Sequence, residues 1–121
     1  MSCLPKEARH QYLTKVKQKM YDWFDLVWEE KKQIEIKMYY GSREHLWVGY
    51  DAFRSGVYAP PGVIITEALC LSVAQDFQVY ILSQGLNATI SLKTEHVAAY
   101  RCFDKMMTAH DTTYVSVVIT P

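Results

Sequence analysis

The sequence predicts an α+β fold, a small single domain in which one sheet carries its helices on one face. Three observations lead there. Residues 5–32 repeat apolar side chains at three- and four-residue steps, residues 33–40 alternate apolar and polar, and residues 77–93 hold two alternating runs about a glycine-containing turn. No linker, repeat or low-complexity tract separates these signals, so the 121 residues are expected to share one core.

The N-terminal helix is expected over about residues 5–32. Pro5 suits a first helical turn, and Leu13, Val16, Met20, Phe24 and Val27 recur along one stripe. Lys6, Arg9, Lys15, Lys17 and Lys19 load its first half, and Asp22, Asp25, Glu29 and Glu30 its second, with Tyr12, Trp23 and Trp28 off the stripe. A solvated scaffold helix and a polarised partner-binding helix both carry such a pattern. Next comes a half-buried strand, with Ile34, Ile36, Met38 and Tyr40 on one face and Glu35, Lys37 and Tyr39 on the other. Turn residues at 41–44 then lead to Leu46, Val48 and Tyr50 alternating with Trp47 and Gly49, which predicts a hairpin with Tyr39 and Trp47 on its open face.

Residues 51–62 read as the one long irregular segment. Phe53, Arg54, Val57 and Tyr58 precede Ala59-Pro60-Pro61-Gly62, where each proline holds the residue before it extended. A stiff loop rich in large side chains serves either as a binding surface or as a lid. Residues 63–75, with Ile64, Ile65, Ala68, Leu69, Leu71 and Val73, predict a buried helix. Phe77, Val79 and Ile81 then read as one strand of a hairpin turning at 83–87, and Ala88, Ile90 and Leu92 as its mate. Thr94 is the expected N-cap of a last helix over 95–109, buried through Ala99, either Cys102 or Phe103, and Met106. Residues 114–119 are apolar on nearly both faces and belong inside the sheet. The N-terminal helix and hairpin are thus followed by a ferredoxin-like βαββαβ-type sheet within a core of about 33–121, helices on one face.

Composition narrows the function classes. Thirteen basic and thirteen acidic residues cancel, so no global field draws the chain to nucleic acid or an anionic membrane. Cys3, Cys70 and Cys102 lack a CxxC spacing and are expected to be free thiols. The start at Met1 lacks a long apolar leader and no run is long enough to span a bilayer, which together predict a cytoplasmic protein. His10, His45, His96 and His110 lie in four segments without metal-ligand spacing; the last two would bracket one helix about 20 Å apart. Neither a metal nor a cofactor is expected. The acidic cluster at 22–30 follows helical spacing beside Lys31 and Lys32, as a solvated face does, and no local motif activates Cys102 as a nucleophile.

The expected strand, helix, hairpin, helix, strand order resembles acylphosphatase, with Phe53-Arg54 and Asn87 in roughly comparable places. That family's Val-Gln-Gly-Val loop is absent, and residues 51–56 do not replace its backbone donors. The chain instead carries 9 Tyr, 4 Phe and 3 Trp, more aromatic surface than so small a core hides. Tyr and Trp, with Arg, mark protein–protein hot spots. The expectation is therefore a non-enzymatic module that binds a larger protein or complex, as an inhibitor, immunity-type factor or regulatory subunit does, a phage-type inhibitor of a bacterial defence enzyme being one example. Its contact residues are expected to be Tyr39, Trp47, Phe53, Arg54 and Tyr58. The same aromatics would equally serve a homodimer. The alternative is a ligand-binding or enzymatic domain with His45, Arg54 and Asn87 lining a pocket for an anionic small molecule.

Overall fold

The computed structural model describes residues 5–29, 33–41, 44–102 and 105–121. Helix α1 (Pro5–Val27) opens the chain and is followed by strands β1 (Ile34–Tyr39), β2 (His45–Tyr50) and β3 (Phe53–Tyr58). Helix α2 (Glu67–Ser83), strand β4 (Asn87–Val97), the short β5 (Tyr100–Cys102) and β6 (Lys105–Met107), and a long β7 (His110–Thr120) complete it. The main sheet has the order β3-β2-β1-β7-β4, and every neighbouring pair is antiparallel. This is an α+β fold, but its order is not the expected ferredoxin-like one. β5 and β6 pair with each other.

The β1 alternation emerges as read: Ile34, Ile36 and Met38 are buried beneath the helices. Register carries that face to Val48 of β2, to Val115, Val117 and Ile119 of β7, and on to Ala88 of β4. α1 closes over it with Val16, Met20 and Phe24 from the predicted stripe, and also with Tyr12, which was expected off it. The Tyr12 hydroxyl donates to the Val57 carbonyl at 2.8 Å, so the ring is buried without an orphaned polar atom. Burial pushes that phenol up to about 12. α1 ends at Val27, short of the predicted limit, and residues 30–32 lie outside the described residues.

The larger correction concerns residues 77–93. Phe77 and Ile81 are buried four residues apart on α2, together with Cys70, Val73 and Ala74, while Val79 is 67% exposed. Apolar residues at 77 and 81 satisfy both a two-residue and a four-residue repeat, so the segment's own pattern does not choose between them. The turn decides. Gly85, at φ 79, receives the chain as it leaves α2, with its N–H on the Leu82 carbonyl and the Leu86 N–H on the Ile81 carbonyl. That paired closure is a Schellman helix stop, not a hairpin. The other end starts later than expected: Thr66 is the N-cap, accepting from the Leu69 N–H at 3.1 Å.

The helix expected over 95–109 is absent. Thr94 pairs with Thr113 inside an eleven-residue antiparallel ladder between β4 and β7, and this non-local pairing overrides the local capping signal. His96 and His110 are consequently not about 20 Å apart along a helix; they occupy adjacent positions on paired strands, with His96 Nδ1 2.9 Å from Asp111 Oδ1. Residues 51–62 are likewise not one loop. Asp51 and Ala52 make a tight turn, Asp51 at φ 55, and β3 follows as a margin strand paired with β2 from Phe53 to Tyr58.

Candidate functional site: the open face of the sheet

Both helices pack on one face, so the other face of the sheet presents the complementary side chains. Parity fixes them: His45, Trp47 and Gly49 from β2, Arg54, Gly56 and Tyr58 from β3, Glu35, Lys37 and Tyr39 from β1, Tyr114 and Ser116 from β7, Lys93 and Glu95 from β4. One row runs straight across all five strands as Gly56, Trp47, Tyr39, Tyr114, Lys93.

Two glycines shape this surface. A Cβ on Gly56 would stand 2.9 Å from the Trp47 ring, so the indole lies flat over its cross-strand neighbour. A Cβ on Gly49 would stand 2.0 Å from the Phe53 carbonyl oxygen and 3.0 Å from Arg54 Cγ. Gly49 is thus the gap through which Arg54 crosses β2. Its guanidinium comes to rest 3.9 Å from the centre of the Tyr39 ring on β1, and its Nη2 lies 3.7 Å from Glu95 Oε2 on β4. β3 and β4 are opposite margins, about 19 Å apart across a flat sheet, so the sheet curls towards this face to let Arg54 and Glu95 meet.

Glu95 also accepts from the Tyr39 hydroxyl at 2.8 Å. Burial, and then that bond to a carboxylate, raise the Tyr39 phenol above its ordinary value against the opposing effect of Arg54. Glu35 anchors a second cluster: Oε2 accepts from Lys93 Nζ at 2.6 Å and from the fully buried Ser116 hydroxyl, and Lys37 Nζ lies 3.9 Å from Oε1. Partial burial would raise the Glu35 pKa, but the hydrogen bonds from Lys93 and Ser116 and the two lysine charges outweigh it, leaving the carboxyl below its usual range. Tyr39 and Tyr114 pack with ring centres 4.9 Å apart and planes tilted by 36°, with Lys37 Nζ 5.4 Å from the Tyr114 ring centre.

The middle of the face is therefore a closed lattice, and accessible rings gather towards the β2–β3 margin. His45 stacks on Trp47 at 5.4 Å and meets Tyr58 edge-on at 5.0 Å; Trp47 is 39% and Tyr58 62% exposed. No family model, curated protein or solved structure significantly matches the chain.

Of the residues singled out from sequence, Tyr39, Trp47, Arg54 and Tyr58 come together on this face, with His45 among them. Phe53 neighbours Arg54 in sequence but has the opposite parity, and it is 67% exposed beside Tyr50. Asn87 starts β4 opposite Thr120, where its amide donates to the Pro121 carbonyl at 2.9 Å, so it does not join His45 and Arg54 in one pocket. Sequence reading missed Glu95, Lys93, Tyr114 and Ser116 as members of the face. Only Glu95 falls within the helix expected over 95–109; Lys93 lay in the alternating stretch 77–93 and Tyr114 and Ser116 in the final strand, read as strand residues but not assigned to the open face. Among the described residues no three His, Cys, Asp or Glu side chains are grouped as metal ligands, and no helix is long and apolar enough to cross a membrane.

Proposed function

We propose that the chain is a protein-binding module that docks a larger partner on the β2–β3 side of its open face, as an inhibitor, immunity-type or regulatory protein does. The observation that carries this reading is the packed cluster of His45, Trp47 and Tyr58 beside Arg54. Rings fixed by neighbours lose little freedom on binding, and an exposed Trp–Tyr pair next to Arg has the composition of an interface hot spot. Single-stranded nucleic acid is a weaker match: it needs bare rings and cationic surroundings, whereas the Tyr39 ring lies under Arg54 and Glu35 and Glu95 sit alongside.

The test is the affinity for the captured partner of Tyr58→Ala and Arg54→Ala, each checked by circular dichroism for a native fold. Each variant is expected to weaken binding by about 2 kcal/mol or more, the usual hot-spot threshold. Full affinity in both would sink the assignment.

A further inference from the structure

A second surface lies at the sheet's margin. Among the described residues no strand pairs with the outer side of β3; there it faces α1 across a groove. A cavity of about 560 Å³ bounded by Tyr12, Lys15, Tyr58 and Pro60 continues into one of about 330 Å³ bounded by Lys15, Lys19, Gly56 and Tyr58. Sharing Lys15 and Tyr58, the two form one trough along the strand.

The backbone of β3 is prepared for another strand. Ala59 N–H donates to the Glu44 carbonyl at 2.8 Å, which makes 59 and 44 a bonded pair in the β2–β3 register. By antiparallel alternation Val57 and Ser55 also bond inward to β2, and the N–H and C=O groups of Arg54, Gly56 and Tyr58 point outward from the sheet, Gly56 and Tyr58 bordering the trough. Margin strands are normally guarded by proline, a bulge or outward charge. β3 contains no proline, its register with β2 is unbroken, and Arg54 is turned onto Tyr39.

The charge of the trough selects the occupant. Lys15 and Lys19, one helical turn apart on α1, line it, and among the described residues neither lies within salt-bridge distance of an acid. Among the described residues the one acid lining it, Asp22, accepts from the Gln18 amide at 2.9 Å. We propose that this trough receives an extended, acidic segment of a partner protein, which adds to β3 as a sixth strand while its carboxylates meet Lys15 and Lys19. The six residues of β3 match a segment about 20 Å long. This surface is distinct from the ring cluster of His45 and Trp47 on the open face and meets it at β3, where Tyr58 borders both.

The experiment is fluorescence anisotropy of the full chain with a labelled ten-residue peptide of alternating Glu and Thr. Its comparators are a Lys–Thr counterpart, the acidic peptide N-methylated at alternate backbone nitrogens, and an oligo-dT of equal charge. The acidic peptide is expected to bind at least about tenfold tighter than each comparator. Lys15→Glu/Lys19→Glu, on an accessible helix face, should reverse the preference between acidic and basic peptides, whereas Lys6→Glu should change affinity less than about twofold. Hydrogen exchange at the Gly56 and Tyr58 amides should slow in the complex. Absence of binding, equal binding of the acidic and basic peptides, indifference to N-methylation, or preference for oligo-dT would each overturn the proposal.

Discussion

The contact between Gly56 and Trp47 allows a sharp test of how the exposed indole is held. An ideal Cβ at position 56 meets Trp47 Cζ3, Cη2 and Cε3 at 2.9, 3.1 and 3.2 Å, and all three are side-chain atoms. Gly56→Ala must therefore displace the ring, an overpacking cost of about 1–3 kcal/mol. Against this stands a gain of roughly 0.5–1 kcal/mol from replacing glycine within a strand. The net expectation is a loss of up to about 2.5 kcal/mol. Trp47→Ala removes the obstruction, so adding Gly56→Ala to Trp47→Ala should stabilise by roughly 0.5–1 kcal/mol, giving a double-mutant coupling equal to the overpacking cost, about 1–3 kcal/mol. Gly49→Ala behaves differently: its first obstruction, 2.0 Å away, is the Phe53 backbone oxygen, which no side-chain truncation relieves. Urea denaturation followed by far-ultraviolet circular dichroism measures all of these without using Trp47 as reporter. A Gly56→Ala effect that is the same in the wild-type and Trp47→Ala backgrounds would refute the packing argument.

Three further outcomes are expected. Glu35 has a folded pKa below its unfolded value of about 4.3, so its contribution is present above that value and is lost as pH falls through the folded pKa. Glu35→Gln should cost about 1 kcal/mol at neutral pH, discounted for the exposure of Lys93, and should flatten the acid limb of the stability–pH curve; an unchanged acid limb would contradict this. The Cys70 thiol, fully buried and pushed up to about 12 by that burial, should resist iodoacetamide at pH 8 in the native state and react only on unfolding, as read by mass spectrometry. Asp51 sits at φ 55 in the two-residue β2–β3 turn, where glycine is unstrained, so Asp51→Gly should leave stability unchanged or raise it by up to about 1 kcal/mol in thermal unfolding.

What could be read from sequence divides along physical lines. The alternation of residues 34–39 is unambiguous because charged Glu35 and Lys37 oppose Ile34, Ile36 and Met38, and it placed Tyr39 on the open face. Trp47 followed from its own hairpin in the same way. Residues 77–81 carry apolar side chains at both periods, and only the closure around Gly85 separates helix from strand. Residues 94–109 hold a cap-like Thr94-Glu95 pair whose local preference yields to pairing with a strand about twenty residues away, which no local window senses. Arg54 was singled out as a loop residue, yet it lies on a margin strand; its contact with Tyr39 depends on the missing side chain at Gly49 and on the curl that brings Glu95 near.

The most direct test is affinity capture from a lysate of the organism that makes the chain, run in parallel with wild type, Trp47→Ala, Tyr58→Ala and Phe53→Ala, each verified as folded. Docking on the open face predicts one larger protein retained at fixed stoichiometry by wild type and Phe53→Ala and lost with Trp47→Ala and Tyr58→Ala. Retention by all four chains alike, or loss through Phe53→Ala alone, would contradict it.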